Sequence, residues 1–155
     1  MRREDARLAR KLVGAMARHA KRIGSTRYTI SRGHLDFAPR NLVFQKPNRL
    51  AAIDMQRLGR PPVSRGAAQF LVAKDGFAPR EQRNLWFGLN RAEAKLFIRH
   101  SGLSENEVEK IFPYFVAYMF RQVLMRSRAK PERMAILRER IEACIDDLDK
   151  LGERK

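Results

Sequence analysis

Apolar residues recur at helical spacing toward both ends of the chain, and strand-like patterning is confined to residues 27–54. That arrangement confines the chain to a mostly helical fold with a small β element. Leu8, Leu12, Val13, Ala15, Met16, Ala20 and Ile23 predict a helix over residues 4–23, with Gly24 as its stop. Residues 27–31 carry β-branched and aromatic side chains and predict a short strand. Residues 33–41, with Pro39, read as a loop. Leu42-Val43-Phe44 and Leu50-Ala51-Ala52-Ile53, separated by Gln45 to Arg49, predict a hairpin whose turn is supplied by Pro47 and Asn48.

Beyond residue 66 the helical period returns. Helices are predicted over 66–74, closed by Asp75-Gly76, then over about 80–88 and over 90–101. Ser104 and Glu107 form a capping box at the start of a helix carrying Val108, Ile111, Phe112, Phe115, Val116, Met119, Phe120 and Val123. Pro113 is expected to kink or split that helix. Pro131 suits the first turn of a last helix, 131–151, ended by Gly152. Residues 1–155 read as one domain of α+β class, mostly α.

The chain of 155 residues carries 33 Lys and Arg against 17 Asp and Glu, a formal charge of +16. Such a field attracts polyanions. The arginines run from Arg2 to Arg154 without a continuous basic block or an aromatic-interleaved stripe, so polyanion binding is expected to be weak. No apolar run is long enough for a transmembrane segment, and Met-Arg-Arg-Glu-Asp lacks the apolar stretch of a signal peptide; the expected location is cytoplasmic. A lone cysteine, Cys144, excludes an intrachain disulfide and reads as a small core residue rather than a nucleophile.

Three polar residues stand out by position. A hairpin brings the start of its first strand beside the end of its second, so Asn41 and Asp54 are expected to be neighbours. An amide oxygen and a carboxylate are hard ligands suited to Mg²⁺. Asp36, five residues before Asn41, then lies where a general base belongs. Singly, each has an ordinary reading: a loop acid, a turn residue that satisfies its own backbone, a solvated acid at a strand end. Together, at this spacing, they form a candidate site. Arg40 and Arg57 flank it, as phosphate contacts or as solvated cations.

His34-Leu35-Asp36-Phe37-Ala38-Pro39-Arg40-Asn41, followed by Ile53-Asp54-Met55-Gln56, resembles the catalytic loop and metal-binding segment of the kinase-like small-molecule phosphotransferases. These are the aminoglycoside and choline kinases, with the lipopolysaccharide-core sugar kinases as relatives. The resemblance is close over residues 4–75, the catalytic-loop and metal-binding region, and general over the helical remainder, 76–155. It implies a protein-kinase-like C-terminal lobe in which Asp36 accepts the proton of an acceptor hydroxyl. It also implies that Asn41 and Asp54 hold Mg²⁺ on the phosphates of ATP, and that the His34 ring orders the loop. The acceptor is then a small molecule or sugar, and the charge favours a neutral or anionic sugar over a polycation.

Two departures accompany the resemblance. Residues 60–70 lack the acid that the family carries there, the next being Asp75. No Gly-rich loop, strand lysine or partner-helix glutamate can be placed before residue 33, so the chain is expected to be a fragment or truncated form without the nucleotide-clamping N-terminal lobe, or to have that lobe supplied by a second polypeptide. Two other classes are a catalytically inactive remnant acting as a binding module, and a basic helical binder of nucleic acid or anionic surfaces. His19 and His100 are expected on the surface. Trp86, Phe87, Phe97 and the Phe112–Phe120 series are expected in the core.

Overall fold

Among the described residues, four long helices and one short one carry the fold, with three two-stranded antiparallel pairs between them. The computed structural model describes residues 2–46, 49–53, 58–78 and 84–153, without the side chains of His34, Phe44, Gln45 and Lys46. The helices are α1 (Arg3–Ile23), α2 (Val63–Asp75), α3 (Arg91–Arg99), α4 (Phe112–Arg126) and α5 (Pro131–Glu153). The strands are β1 (Gly33–His34), β2 (Leu42–Lys46), β3 (Arg49–Ala52), β4 (Leu58–Gly59), β5 (Leu85–Trp86) and β6 (Leu89–Asn90). They pair as β1 with β4, β2 with β3 and β5 with β6. Among the described residues no helix is long and apolar enough to cross a membrane.

The core lies where α1 packs on α4 and α5 and where α2 packs on α4. Leu12, Leu71, Phe112, Phe120, Leu137 and Ile141 are buried there, none more than 1 % exposed. Each contributes about 1.5–3 kcal/mol by leaving water. Cys144 is buried with them as expected, and burial pushes its thiol far above the ordinary range. Three ion pairs join α1 to α5 among the described residues. Arg18 forks onto both carboxylate oxygens of Asp149, and Arg138 reaches Asp5 at 2.8 Å and Glu4 at 2.7 Å.

The expected strand over 27–31 does not form. Thr29 gives its N–H and its hydroxyl to the Glu107 carboxylate, at 2.5 and 3.0 Å, which leaves only an isolated bridge between Ile30 and Pro62. Glu107 also accepts from the Ser104 backbone and hydroxyl at 3.1 and 2.9 Å, so the expected capping box is present. Burial raises this carboxyl's pKa, but these four hydrogen bonds outweigh it and hold the group below the usual carboxylate range. Glu107–Ile111 forms a turn of π-helix, and Pro113 sits in the first turn of α4, where its missing N–H costs little. The helical backbone is continuous through this junction, with a π turn just before Pro113 in place of the expected kink or split.

Two further expectations change. The helix over 80–88 is replaced, in its described part, by the hairpin β5–β6; residues 79–83 lie outside the described residues. The last helix continues through Gly152 to Glu153, beyond its expected stop. His100 is exposed as expected. His19 is not on the surface: it is 2 % exposed, on the α1 face shared with Leu12, Ala15 and Met16. Its Nε2 lies 2.7 Å from the Lys110 carbonyl, so Nε2–H donates, and Nδ1 is buried with no partner among the described residues.

Burial pushes the His19 pKa down, a shift the Lys110 carbonyl opposes and the Arg22 charge reinforces. The unfolded chain thus binds this proton more tightly, and stability must fall as pH drops below the free imidazole value of about 6.5. We expect unfolding free energy from urea melts to decline between pH 7.5 and 5.5, by no more than about 1.4 kcal/mol per pH unit from this group. His19→Gln should flatten the decline; an unchanged slope would assign it elsewhere.

Candidate functional site

The loop carrying Asp36 is fixed at both ends. Upstream, β1 pairs with β4 in the register Gly33↔Gly59 and His34↔Leu58. Leu35 lies so close to Gly59 that a Cβ there would come within 2.8 Å of the Leu35 side chain. Downstream, Pro39–Asn41 makes a 3₁₀ turn in which Asn41 N–H donates to the Ala38 carbonyl at 2.9 Å. Proline sets φ for that turn and β2 follows it directly.

Asp36 sits in the bend between them, partly buried, and its carboxylate is held from three directions. Arg40 Nη2 donates to Oδ2 at 2.5 Å, Gln69 Nε2 donates to Oδ1 at 2.7 Å, and the Asn41 Nδ2 lies 3.4 Å from Oδ2. The same Asn41 amide donates to the Asp36 backbone carbonyl at 2.8 Å. Asn41 is only 8 % exposed, and its Oδ1 receives no donor from the described residues. Asp36 and Asn41 are thus brought together. Arg40, read either as solvated or as a phosphate contact, is an ion-pair partner of Asp36.

The hairpin register is Leu42↔Ala52, Val43↔Ala51 and Phe44↔Leu50, and the Ile53 N–H donates to the Asn41 carbonyl at 2.8 Å. The residue before Asp54 is therefore bonded to Asn41. Asp54 itself, with Met55, Gln56 and Arg57, lies outside the described residues, as do the turn residues Pro47 and Asn48. The His34 ring is likewise outside what is described. Among the described residues no three His, Cys, Asp or Glu side chains cluster as a metal site. A Mg²⁺ site built on one amide oxygen and one carboxylate needs no such cluster, because the ion keeps waters and substrate phosphates as its other ligands.

Beside Asp36 opens a cleft of about 670 Å³ between the loop, α2 and α4. Asp36, Arg40, Arg65, Gln69, Tyr118 and Arg126 are among its lining residues. Residue-by-residue reading missed Gln69, Arg65 and Arg126. Arg65 and Gln69 are four apart on α2, which starts at Val63 rather than at the expected residue 66, so Arg65 was left outside the predicted helix; that their face turns toward Asp36 depends on how α2 packs on α4. Phe37 stacks on Phe70 at 5.2 Å, and Phe70 on Phe97 at 5.1 Å, joining the loop to α2 and α3. Tyr28, Ile30, Val43, Leu50, Ile53 and Leu58, all near the hairpin in sequence, keep large apolar side chains exposed.

Comparison of the chain with protein-family models, with curated proteins and with solved structures returns no match.

Proposed function

We propose that the chain is the C-terminal lobe of a kinase-like phosphotransferase that moves the γ-phosphate of ATP to a hydroxyl of a small molecule or sugar. The observation that carries this reading is the pairing of Asp36 with Asn41 across a five-residue loop that opens on a small-molecule-sized cleft. In this reading Asp36 orients the acceptor hydroxyl and takes its proton. Arg40, already at the carboxylate, offsets part of its negative charge. The undonated Oδ1 of Asn41 suits Mg²⁺, with Asp54 as the second ligand; the ion supplies charge neutralisation on the nucleotide phosphates. The exposed apolar side chains between residues 28 and 58 offer a surface for a nucleotide-covering lobe.

A ligand that binds the folded state raises the melting temperature by mass action, by about 2.7 kcal/mol of stability at a hundred times its Kd. ATP with Mg²⁺ is expected to raise the Tm of the full chain, and Asp54→Ala is expected to abolish the rise. No Mg²⁺-dependent shift at millimolar nucleotide would overturn nucleotide binding by this chain alone.

A further inference from the structure

The cleft beside Asp36 is unevenly charged. Among the described residues that line it, three carry guanidinium groups, Arg40, Arg65 and Arg126, and Asp36 is the one acid. That carboxylate is already matched by Arg40. Among the described residues Arg65 and Arg126 have no ion-pair partner; Arg65 stands on α2 and Arg126 ends α4, and both line the cleft. Arg65 is half-buried and Arg126 exposed, and two unmatched guanidinium groups lining one cleft repel each other. An anion between them relieves that repulsion. Guanidinium forks match carboxylate and phosphate geometry, and such charge-assisted bonds are about twice as strong as neutral ones.

We propose that the cleft binds an acceptor carrying a carboxylate or a phosphate, with Arg65 and Arg126 holding the anionic group while the hydroxyl to be modified lies toward Asp36. The placement of the hydroxyl rests on the phosphotransferase reading; the anion site does not. Gln69 links the two ends: it lines the cleft and donates to Asp36 Oδ1, so an acceptor seated on the arginines is held against the same helix that fixes the carboxylate. Cationic acceptors are disfavoured by the same charges.

The test is binding to the full chain without nucleotide, so that it stands apart from phosphate transfer. Gluconate, glucose 6-phosphate and glucose share a polyol frame and differ in carboxylate, phosphate or neither. Calorimetric titration is expected to show binding of at least one of the two anions, with glucose at least tenfold weaker. Arg65→Gln and Arg126→Gln are each expected to weaken the anion about tenfold, the value of one charge-assisted hydrogen bond. Arg99→Gln, on exposed α3 and lowering the net charge equally, is expected to change nothing. Which anion binds distinguishes a carboxylate site from a phosphate site.

Equal binding of glucose, no binding of either anion, or an Arg99→Gln effect as large as that of Arg65→Gln would overturn the proposal. Anion binding lost with Arg65 and Arg126 but without phosphate transfer on adding ATP and Mg²⁺ would leave this site standing and remove the phosphotransferase reading. Transfer to glucose with no preference for the acids would do the reverse.

Discussion

Asp36→Asn is expected to lower phosphate transfer from ATP to a hydroxyl acceptor by about 10²–10⁴-fold, the usual contribution of a positioned acid or base. The asparagine keeps the size of the side chain and can still meet Gln69, so the loop's shape has no reason to change. What is lost is the proton acceptor and the charge partner of Arg40. The Arg40–Asp36 pair is mostly solvent-facing on the arginine side, 65 % exposed, so its removal costs at most about 1 kcal/mol of stability. Steady-state kinetics and a urea melt on the same preparation separate the two effects: a fall in kcat is expected, with the unfolding midpoint nearly in place. A variant retaining full turnover would show that Asp36 is a structural acid of the loop.

The largest stability effect is expected at Gly88. Phe87 and Gly88 both have positive φ, 49° and 74°, the geometry of the tight turn that joins two short antiparallel strands. A Cβ on Gly88 would stand 2.2 Å from the Arg140 backbone carbonyl oxygen, and the buried Arg140 guanidinium donates to the Gly88 carbonyl at 3.1 Å. Gly88→Ala therefore combines backbone strain with a collision against α5, about 2–5 kcal/mol together. Gly102 supplies the control. It has the same φ of 74° but nothing within 4 Å of its would-be Cβ, so Gly102→Ala is expected to cost about 1 kcal/mol. Equal losses in urea melts would mean that α5 gives way and the strain alone is felt.

The helices were legible because their apolar residues repeat over several turns, as Leu8, Leu12 and Met16 do in α1 and Met134, Leu137, Ile141 and Cys144 do in α5. The β5–β6 hairpin was not, because Leu85-Trp86-Phe87-Gly88-Leu89 is too short to show a period of two and its turn places a phenylalanine at positive φ. The strand expected over 27–31 failed through a partner 78 residues away, since the local preference of Thr29 cannot reveal that Glu107 will take its donors. His19 was misjudged by its sequence neighbours Arg18, Lys21 and Arg22, although its spacing from Leu12, Ala15 and Met16 already put it on the buried face. At the candidate site, the loop from Asp36 to Asn41 was readable as a pattern. The cleft was not, because its arginines come from α2 and α4 and meet only when those helices pack.

Gln69 has a consequence for motion. Loops fluctuate more than the elements they join. The Asp36 carboxylate, though on a bend, is bonded to a side chain of α2, and α2 is seated on α4 through the fully buried Ala68 and Leu71. Its thermal displacement is therefore tied to that of a helix in the core, and the neighbouring Phe37 is damped the same way by its stack on Phe70. A carboxylate on a turn thus takes on the positional stiffness of the packed interior.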